Sequence, residues 1–65
     1  MKVLIVGGGA REHCVAIKLK EDGAELYSSM YNLNPGLARI SSDILRVLDT
    51  DVHAIVDWAQ KMQIE

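Results

Sequence analysis

The three consecutive glycines at residues 7–9 constrain the fold of this chain more than any other feature of its sequence. They follow Lys2–Val6, an apolar run in which apolar and polar residues do not alternate. Such a run is typical of a strand covered on both faces, as in a parallel sheet. Residues 10–21 then show helical spacing, with two lysines near the end and Gly23 just beyond it, as helix ends prefer. The sequence therefore predicts a strand, a glycine turn and a helix in direct succession.

The first predicted helix has a broad apolar side. Apolar residues fall at helical spacing or widen that side at Ala10, Cys14, Val15, Ala16, Ile17 and Leu19. On this interpretation Cys14 is a buried, unreactive thiol rather than a nucleophile, although a helix N-terminus can lower the pKa of a thiol.

A second strand is predicted at residues 25–31, and the loop Asn32-Leu33-Asn34-Pro35-Gly36 follows it. The loop signal is strong because the proline lacks an N–H and the glycine accepts positive φ. A short helical turn is expected at residues 37–41, and a third, weaker strand at residues 44–48.

A final helix is predicted from residue 52 onward. Asp49-Thr50-Asp51 offers an N-cap, and its acidic groups suit the positive end of a helix. An apolar stripe with the helical period consists of Val52, Ile55, Val56, Ala59 and Met62. Trp58 lies one position off this stripe, and ordinary partial burial is the preferred interpretation, with contact to a partner domain as the alternative.

Strands that alternate with helices predict an α/β fold, a Rossmann-like, doubly wound parallel sheet with right-handed crossovers. The first strand is central in such sheets, so a further strand is expected after the final helix. We therefore interpret the 65 residues as an incomplete N-terminal domain, truncated after about three strands. The open edge of the first strand is expected to be covered by another element or to self-associate.

A glycine turn between a strand and a helix is suited to binding phosphate. Glycines let backbone N–H groups approach an anion, and the helix N-terminus adds unpaired donors and partial positive charge. Arg11, at the helix start, adds a forked donor for phosphate or carboxylate. A tight β–α connection that binds no ligand is the alternative.

The turn does not match the fingerprint of dinucleotide-binding proteins. Gly7 and Gly9 fit G-x-G-x-x-G, but Glu12 replaces the third glycine, which normally permits close packing of helix on strand. The acidic residue expected about 20 residues further on, to bind a ribose hydroxyl, is missing from residues 28–32. A lysine-bearing P-loop is also excluded, since no Gly-Lys-Ser/Thr follows.

Composition argues against several other functions. The net charge is −2, with 7 basic and 9 acidic residues, and no basic run suits nucleic acid. The apolar run at residues 3–6 is too short for a membrane span or a signal sequence. The single cysteine excludes an intrachain disulfide and favours a cytoplasmic location. No metal site is predicted, and we interpret His13 as a packed structural residue and His53 as a surface residue.

Residues 1–13 resemble the opening of the phosphoribosylamine–glycine ligase (glycinamide ribonucleotide synthetase) family. That family begins with a hydrophobic strand and a G-x-G-[GA]-R-E-H-A signature, from which this sequence departs at Cys14, where alanine is usual. The matching positions are Gly7, Gly9, Ala10, Arg11, Glu12 and His13. Asn34-Pro35-Gly36 also resembles the family's loop after the second strand, and Trp58-Ala59-Gln60 fits its apolar helix.

The resemblance implies an ATP-grasp ligase of purine biosynthesis. In that family ATP and glycine form an acyl phosphate, which the amine of 5-phosphoribosylamine attacks to give glycinamide ribonucleotide, ADP and phosphate. Magnesium or manganese holds the nucleotide phosphates. The N-terminal domain contributes to the phosphoribosyl-substrate site, whereas the ATP-grasp and C-terminal domains, absent here, hold nucleotide, metal and the catalytic arginines. The resemblance therefore assigns no catalytic residue, metal or cofactor to this fragment, which is expected to be inactive by itself.

The candidate substrate-binding residues lie in the glycine turn and in the loop after the second strand: Gly7, Gly9, Ala10, Arg11, Glu12, Asn34, Pro35 and Gly36. Arg11 is the first candidate for phosphate contact, and a solvated side chain or an ion pair with Glu12 or Asp22 is the alternative. Glu12 is equally suited to bind ribose hydroxyls or to hold the turn. The loop at Asn34 either contacts substrate or only turns the chain.

Three other functions are left open by the sequence. The chain could be the nucleotide-binding Rossmann fragment of an oxidoreductase, although the missing acidic partner for ribose argues against it. It could belong to another ATP-grasp ligase with a similar N-terminal design. A non-catalytic oligomerisation or regulatory module that associates through its open sheet edge is the alternative from a different class.

Overall fold

The computed structural model describes residues 1–48 and 50–64, so Asp49 of the predicted N-cap lies outside the described residues. Strands and helices alternate along the chain. The elements are β1 (Lys2–Val6), α1 (Ala10–Glu21), β2 (Glu25–Ser29), α2 (Pro35–Ile40), β3 (Asp43–Leu45) and α3 (Val52–Lys61). β1 and α1 have the bounds that the sequence predicts, and α3 begins at the predicted residue.

The strands form one parallel sheet in the order β1-β2-β3. Val3 of β1 pairs with Leu26 of β2, and Val6 pairs with Ser29. The predicted Rossmann-like α/β class is confirmed. β1 is an edge strand of the described sheet. Because β1 and β2 pair in parallel, their carboxyl ends lie side by side, and the segments that follow them meet at that end of the sheet.

The second half of the chain differs from the prediction in its element bounds. β2 ends at Ser29 rather than at residue 31, and β3 covers residues 43–45 rather than 44–48. β3 is short because it pairs only with residues 27–29 of β2, and β2 ends at residue 29. α2 starts inside the predicted loop, at Pro35, because a proline's fixed φ and missing N–H suit the first turn of a helix.

The hydrophobic core lies between the sheet and the pair α1 and α2. Its buried residues are Ile5, Ala16, Leu26, Met30 and Leu37. Each fully buried leucine or methionine stabilises the fold by about 1.5–3 kcal/mol relative to an exposed one. None of the described helices is long and apolar enough to cross a membrane.

α3 packs through Trp58, which lies edge-on to the ring of Tyr27 with 6.0 Å between ring centroids. Burial, and then the hydrogen bond from its hydroxyl to Glu25, raise the pKa of Tyr27 above its ordinary value. The predicted apolar stripe is confirmed at Ile55, which is buried, and wrong at Val52 and Val56, which are exposed. Trp58, which was placed off the stripe, is buried instead. Burial of Trp58 within the chain agrees with the preferred interpretation of this residue, and contact with a partner domain is not needed to explain it.

The predicted apolar side of α1 is also wrong in part. Only Ala16 is buried there, whereas Cys14 is exposed rather than buried. Residues two positions apart on an α-helix point about 200° apart, so a helix that turns Ala16 to the core turns Cys14 to solvent. Ile17 and Val15 lie on the flanks of the helix and are 43% and 54% exposed.

Candidate functional site

The glycine turn at residues 7–9 connects β1 to α1, and its first and last residues differ in backbone conformation and hydrogen bonding. Gly7 is buried with φ +108°, and its N–H donates to the carbonyl oxygen of Ser29 at 2.8 Å. Gly9 is extended and caps α1 without any side-chain hydrogen bond. The N–H groups of Gly8 and Gly9 have no hydrogen-bond acceptor among residues 1–48 and 50–64. Backbone donors for an anion are therefore present at the start of α1.

The side chain of Glu12 folds back onto the glycine turn. A Cβ atom on Gly7 would lie 2.8 Å from its Oε1, and one on Gly9 would lie 2.9 Å from its Oε2. The same carboxylate thus lies against both glycines, and at Gly7 the positive φ also disfavours any side chain. This side of the turn holds a negative group of the protein itself, so a bound anion has to approach from the side of Gly8 instead.

Gly8 lies against the loop that follows β2. A Cβ atom at this position would come within 2.8 Å of the Asn32 carbonyl oxygen and 3.2 Å of the Met30 Cβ. The carbonyl of Gly8 accepts a hydrogen bond from Nδ2 of Asn34 at 3.0 Å. The middle glycine, which was not among the predicted site residues, therefore lets the two loops approach each other closely.

Asn34 links the two loops through both ends of its amide. Its Oδ1 accepts hydrogen bonds from the backbone N–H groups of Gly36 at 3.0 Å and Leu37 at 3.2 Å, which caps α2. Its Nδ2 is the donor to Gly8. Pro35 is exposed beside it at the first turn of α2. The structural role that the sequence left open for this loop is therefore present.

His13 packs against the start of α2. Its imidazole ring occupies the space that a Cβ atom of Gly36 would need, and the residue is half-buried. The contact agrees with the interpretation of His13 as a packed structural residue. His53 is exposed, as predicted. The residues that the structure describes contain no group of three His, Cys, Asp or Glu side chains that could hold a metal ion.

A cavity of about 240 Å³ opens between the glycine turn and the segment after β2, and it is lined by Gly8, Gly9, Tyr31 and Asn32. It lies at the carboxyl ends of β1 and β2, where open α/β sheets bind ligands. Tyr31 and Asn32 were not predicted as site residues. Their position directly after a strand that neighbours the glycine strand was the available signal.

Arg46 joins this edge of the sheet from β3. Its Nε and Nη2 both donate to the carbonyl oxygen of Tyr31, at 3.3 Å and 3.0 Å. Because Arg46 directly follows β3, it lies at the same carboxyl edge as the glycine turn. Arg46 was not among the predicted site residues, since it falls inside the third strand that the sequence predicts at residues 44–48 and belongs to no motif.

A second cavity, of about 350 Å³, lies beside the open edge of β1. It is lined by Leu4, Ile5, Val6, Arg11, Glu12 and Val15. Arg11 is exposed and belongs to this cavity rather than to the one at Gly8. The structure therefore gathers the predicted site residues around one turn but does not place Arg11 and the Asn34 loop in a common cavity.

Comparison with known proteins agrees with the resemblance at the glycine turn. A sequence profile described as "Phosphoribosylglycinamide synthetase, N domain" matches residues 1–65. Two relatives named phosphoribosylamine–glycine ligase are 46% identical over 65 residues in Pyrococcus furiosus and 48% identical over 66 residues in Methanococcus maripaludis strain C5. Each alignment covers 100% of this chain and 15% of the relative.

A third relative of the same name, from Methanocaldococcus jannaschii, is 44% identical over 64 residues, which are 97% of this chain and 14% of the relative. The chain thus spans only about one seventh of the length of the relatives that it matches. No solved structure matches it.

Proposed function

Because the chain belongs to the phosphoribosylglycinamide synthetase N-domain family, we propose that it is the substrate-binding part of an ATP-dependent ligase. The proposed reaction joins glycine to 5-phosphoribosylamine in purine biosynthesis. The names of the relatives from Pyrococcus furiosus and Methanococcus maripaludis support this activity. In this proposal residues 1–65 belong to an N-terminal domain, and the ATP-grasp and C-terminal domains of a longer protein carry out the chemistry. The ligase is proposed to act in the cytoplasm.

The single observation that carries the proposal is the cavity at Gly8, Gly9, Tyr31 and Asn32. Its lining residues Gly8 and Gly9 have backbone N–H groups without acceptors among the described residues, and α1 starts directly after them. Such donors and the helix dipole favour a phosphoryl group. The volume of about 240 Å³ is below the range of about 300–1,000 Å³ typical of drug-sized ligands, which favours a sugar phosphate over a dinucleotide.

We assign the following roles within this site. The backbone at Gly8, Gly9 and Ala10 binds the phosphoryl group. Arg11 is exposed in the first turn of α1 and lines the neighbouring cavity, so its side chain has to turn toward Gly8 to add a forked donor. Gly7 and Glu12 hold the turn in shape, because the Glu12 carboxylate lies against the glycine backbone. Asn34, Pro35 and Gly36 fix the neighbouring loop through the cap of α2.

The chain in this proposal binds and orients the phosphoribosyl group so that its amine faces the acyl phosphate. ATP supplies the activation of glycine, and magnesium or manganese neutralises the nucleotide phosphates. Both are assigned to the other domains of the ligase. No side chain among residues 1–65 moves a proton in this scheme, which is why the chain by itself is proposed to be inactive.

The oxidoreductase alternative is not favoured. A dinucleotide pyrophosphate would have to pack against the turn where the carboxylate of Glu12 lies next to Gly7 and Gly9. The curated relatives cited above are named as ligases.

For the isolated 65-residue chain we also propose self-association of two copies through the edge of β1. Among the described strands β1 pairs only with β2, and Val6 and Val15 beside the open edge are 42% and 54% exposed. An open, apolar strand edge offers unpaired N–H and C=O groups to a second chain.

The ligase proposal is tested by exchanging this chain for the segment that it matches in the Pyrococcus furiosus relative. We expect the hybrid to release ADP when glycine and phosphoribosylamine are both present. Arg11→Ala should raise the KM for phosphoribosylamine about tenfold or more, since a charged hydrogen bond to phosphate is lost. Lys20→Ala, which removes one positive charge from the far end of α1, is the matched control. An Arg11→Ala hybrid with an unchanged KM removes Arg11 from the site, and an inactive hybrid contradicts the assignment.

A further inference from the structure

The outer wall of the cavity at Gly8 is a short segment without regular secondary structure. Tyr31 and Asn32 form it, and Tyr31 is 57% exposed. The segment is held at its start by the N–H of Met30, which donates to the carbonyl of Leu45 at 2.9 Å, and at its end by Asn34. Between these anchors, the carbonyl of Tyr31 accepts hydrogen bonds from the side chain of Arg46.

Arg46 holds that carbonyl with two converging donors. The distances of 3.3 Å from Nε and 3.0 Å from Nη2 lie at or close to normal hydrogen-bond lengths. A planar fork fixes the direction of its acceptor better than a lysine ammonium, which is a compact point charge. The fork therefore sets the orientation of the peptide that lines the cavity.

The same guanidinium adds positive charge at the carboxyl edge of the sheet. Arg46 is exposed, and no ion pair links it to an acidic side chain among residues 1–48 and 50–64. The guanidinium carries more N–H donors than the bonds to Tyr31 use. Its field therefore acts on an anion in the neighbouring cavity, in the same sense as the start of α1.

We propose that Arg46 is a positioning and specificity residue for the phosphoribosyl group: its fork fixes the Tyr31–Asn32 wall against the sugar, and its charge favours the phosphate. The inference rests on the proposed function, which it deepens by naming a residue outside the glycine signature. The proposed role of Arg46 is more than electrostatic, because its forked hydrogen bonds, and not its charge alone, fix the Tyr31–Asn32 wall of the cavity.

The test titrates the 65-residue chain with ribose 5-phosphate and, separately, with inorganic phosphate, followed by NMR. Arg46→Lys keeps the charge and loses the fork, whereas Arg46→Gln loses both. Arg39→Gln removes an arginine from the last turn of α2 and is the charge-matched control. Thermal melting of each variant checks that the fold is retained, and the carbonyl-carbon shift of Tyr31 reports the loss of the hydrogen bonds.

Both Arg46 variants should bind ribose 5-phosphate about tenfold more weakly, while Arg39→Gln should bind it as the unaltered chain does. Arg46→Lys should retain the affinity for inorganic phosphate, which touches no sugar-facing wall. Unchanged affinity of Arg46→Lys for ribose 5-phosphate overturns the positioning role, and unchanged affinity of Arg46→Gln overturns any role, with the proposed function intact in both cases. Absence of binding to the unaltered chain overturns both proposals.

Discussion

Glycines at three positions illustrate different physical requirements. Gly23 has φ +94° and open space around its Cα, so only its backbone conformation excludes a side chain. At Gly36 the requirement is space, because the ring of His13 fills the position of a Cβ. Gly7 combines φ +108° with contact to Glu12. The cost of conformation and the cost of collision can therefore be measured separately in one small molecule.

Alanine substitutions should separate these two costs. Gly23→Ala should destabilise the fold by about 1 kcal/mol, from positive φ alone. Gly7→Ala should destabilise it by about 1–3 kcal/mol, and more than Gly23→Ala, since the Glu12 carboxylate must also move. Urea unfolding, followed by the fluorescence of Trp58, measures each free energy of unfolding. Equal effects at Gly7 and Gly23 would contradict the contact with Glu12.

The collision at Gly36 has its own check in a double-mutant cycle. Gly36→Ala should lose most of its destabilising effect in a His13→Ala background, because the ring that occupies the site is gone. Additive effects of the two substitutions would show that His13 does not pack against Gly36.

At the scale of elements, α2 and the glycine turn form one unit through Asn34. Its Oδ1 caps α2 while its Nδ2 holds the carbonyl of Gly8. The substitutions Asn34→Asp and Asn34→Ala separate the two roles, since aspartate retains the acceptor for the cap but lacks the donor to Gly8.

We expect Asn34→Ala to destabilise the fold by about 1–2 kcal/mol through loss of the cap, and Asn34→Asp to destabilise it less. Both should shift the NMR signals of Gly8 and Gly9, because both lose the bond to the Gly8 carbonyl. Urea unfolding and an amide correlation spectrum measure the two effects. An Asn34→Asp variant with unshifted glycine signals would rule out the link between the loops.

Elements with one dominant signal could be predicted from the sequence. The apolar run of β1 stops at a glycine, and the apolar helical pattern of α3 begins directly after a capping residue. The predicted end of β1 and the predicted start of α3 therefore agree with the structure. The start of α2 could not be predicted, because Asn34-Pro35-Gly36 marks a loop as strongly as it marks a capped helix start. The length of β3 depends on where β2 ends, which is a property of the pair and not of either segment.

Burial and the site depend on tertiary contacts that local patterns do not contain. Cys14 was predicted to be buried, and it is exposed because Ala16 faces the core. The signature at residues 7–13 located the glycine turn. Tyr31 and Arg46 could not be found in the same way, since they approach the glycine turn only when the ends of three strands are brought to one edge.

At the scale of the whole molecule, β1 lies at one edge of the described sheet, where β2 is its one neighbour among the described strands. We expect the isolated chain to dimerise with rising concentration, and Val6→Lys should weaken this association, because a lysine on an edge strand opposes strand pairing. Val56→Lys is the matched control, since Val56 on α3 is 45% exposed and Val6 is 42% exposed. Light scattering over a concentration series measures the mass. A monomeric unaltered chain at high concentration contradicts the expectation.

The central claim is that the turn after β1 holds a sugar-borne phosphoryl group in the cavity that it shares with the segment after β2. Amide NMR signals of the chain during a titration with ribose 5-phosphate test it most directly. The account predicts saturable shifts at Gly8, Gly9 and Asn32, with those of Val15 in the other cavity unchanged. Shifts confined to Val15 and the edge of β1, or none at any concentration, would contradict it.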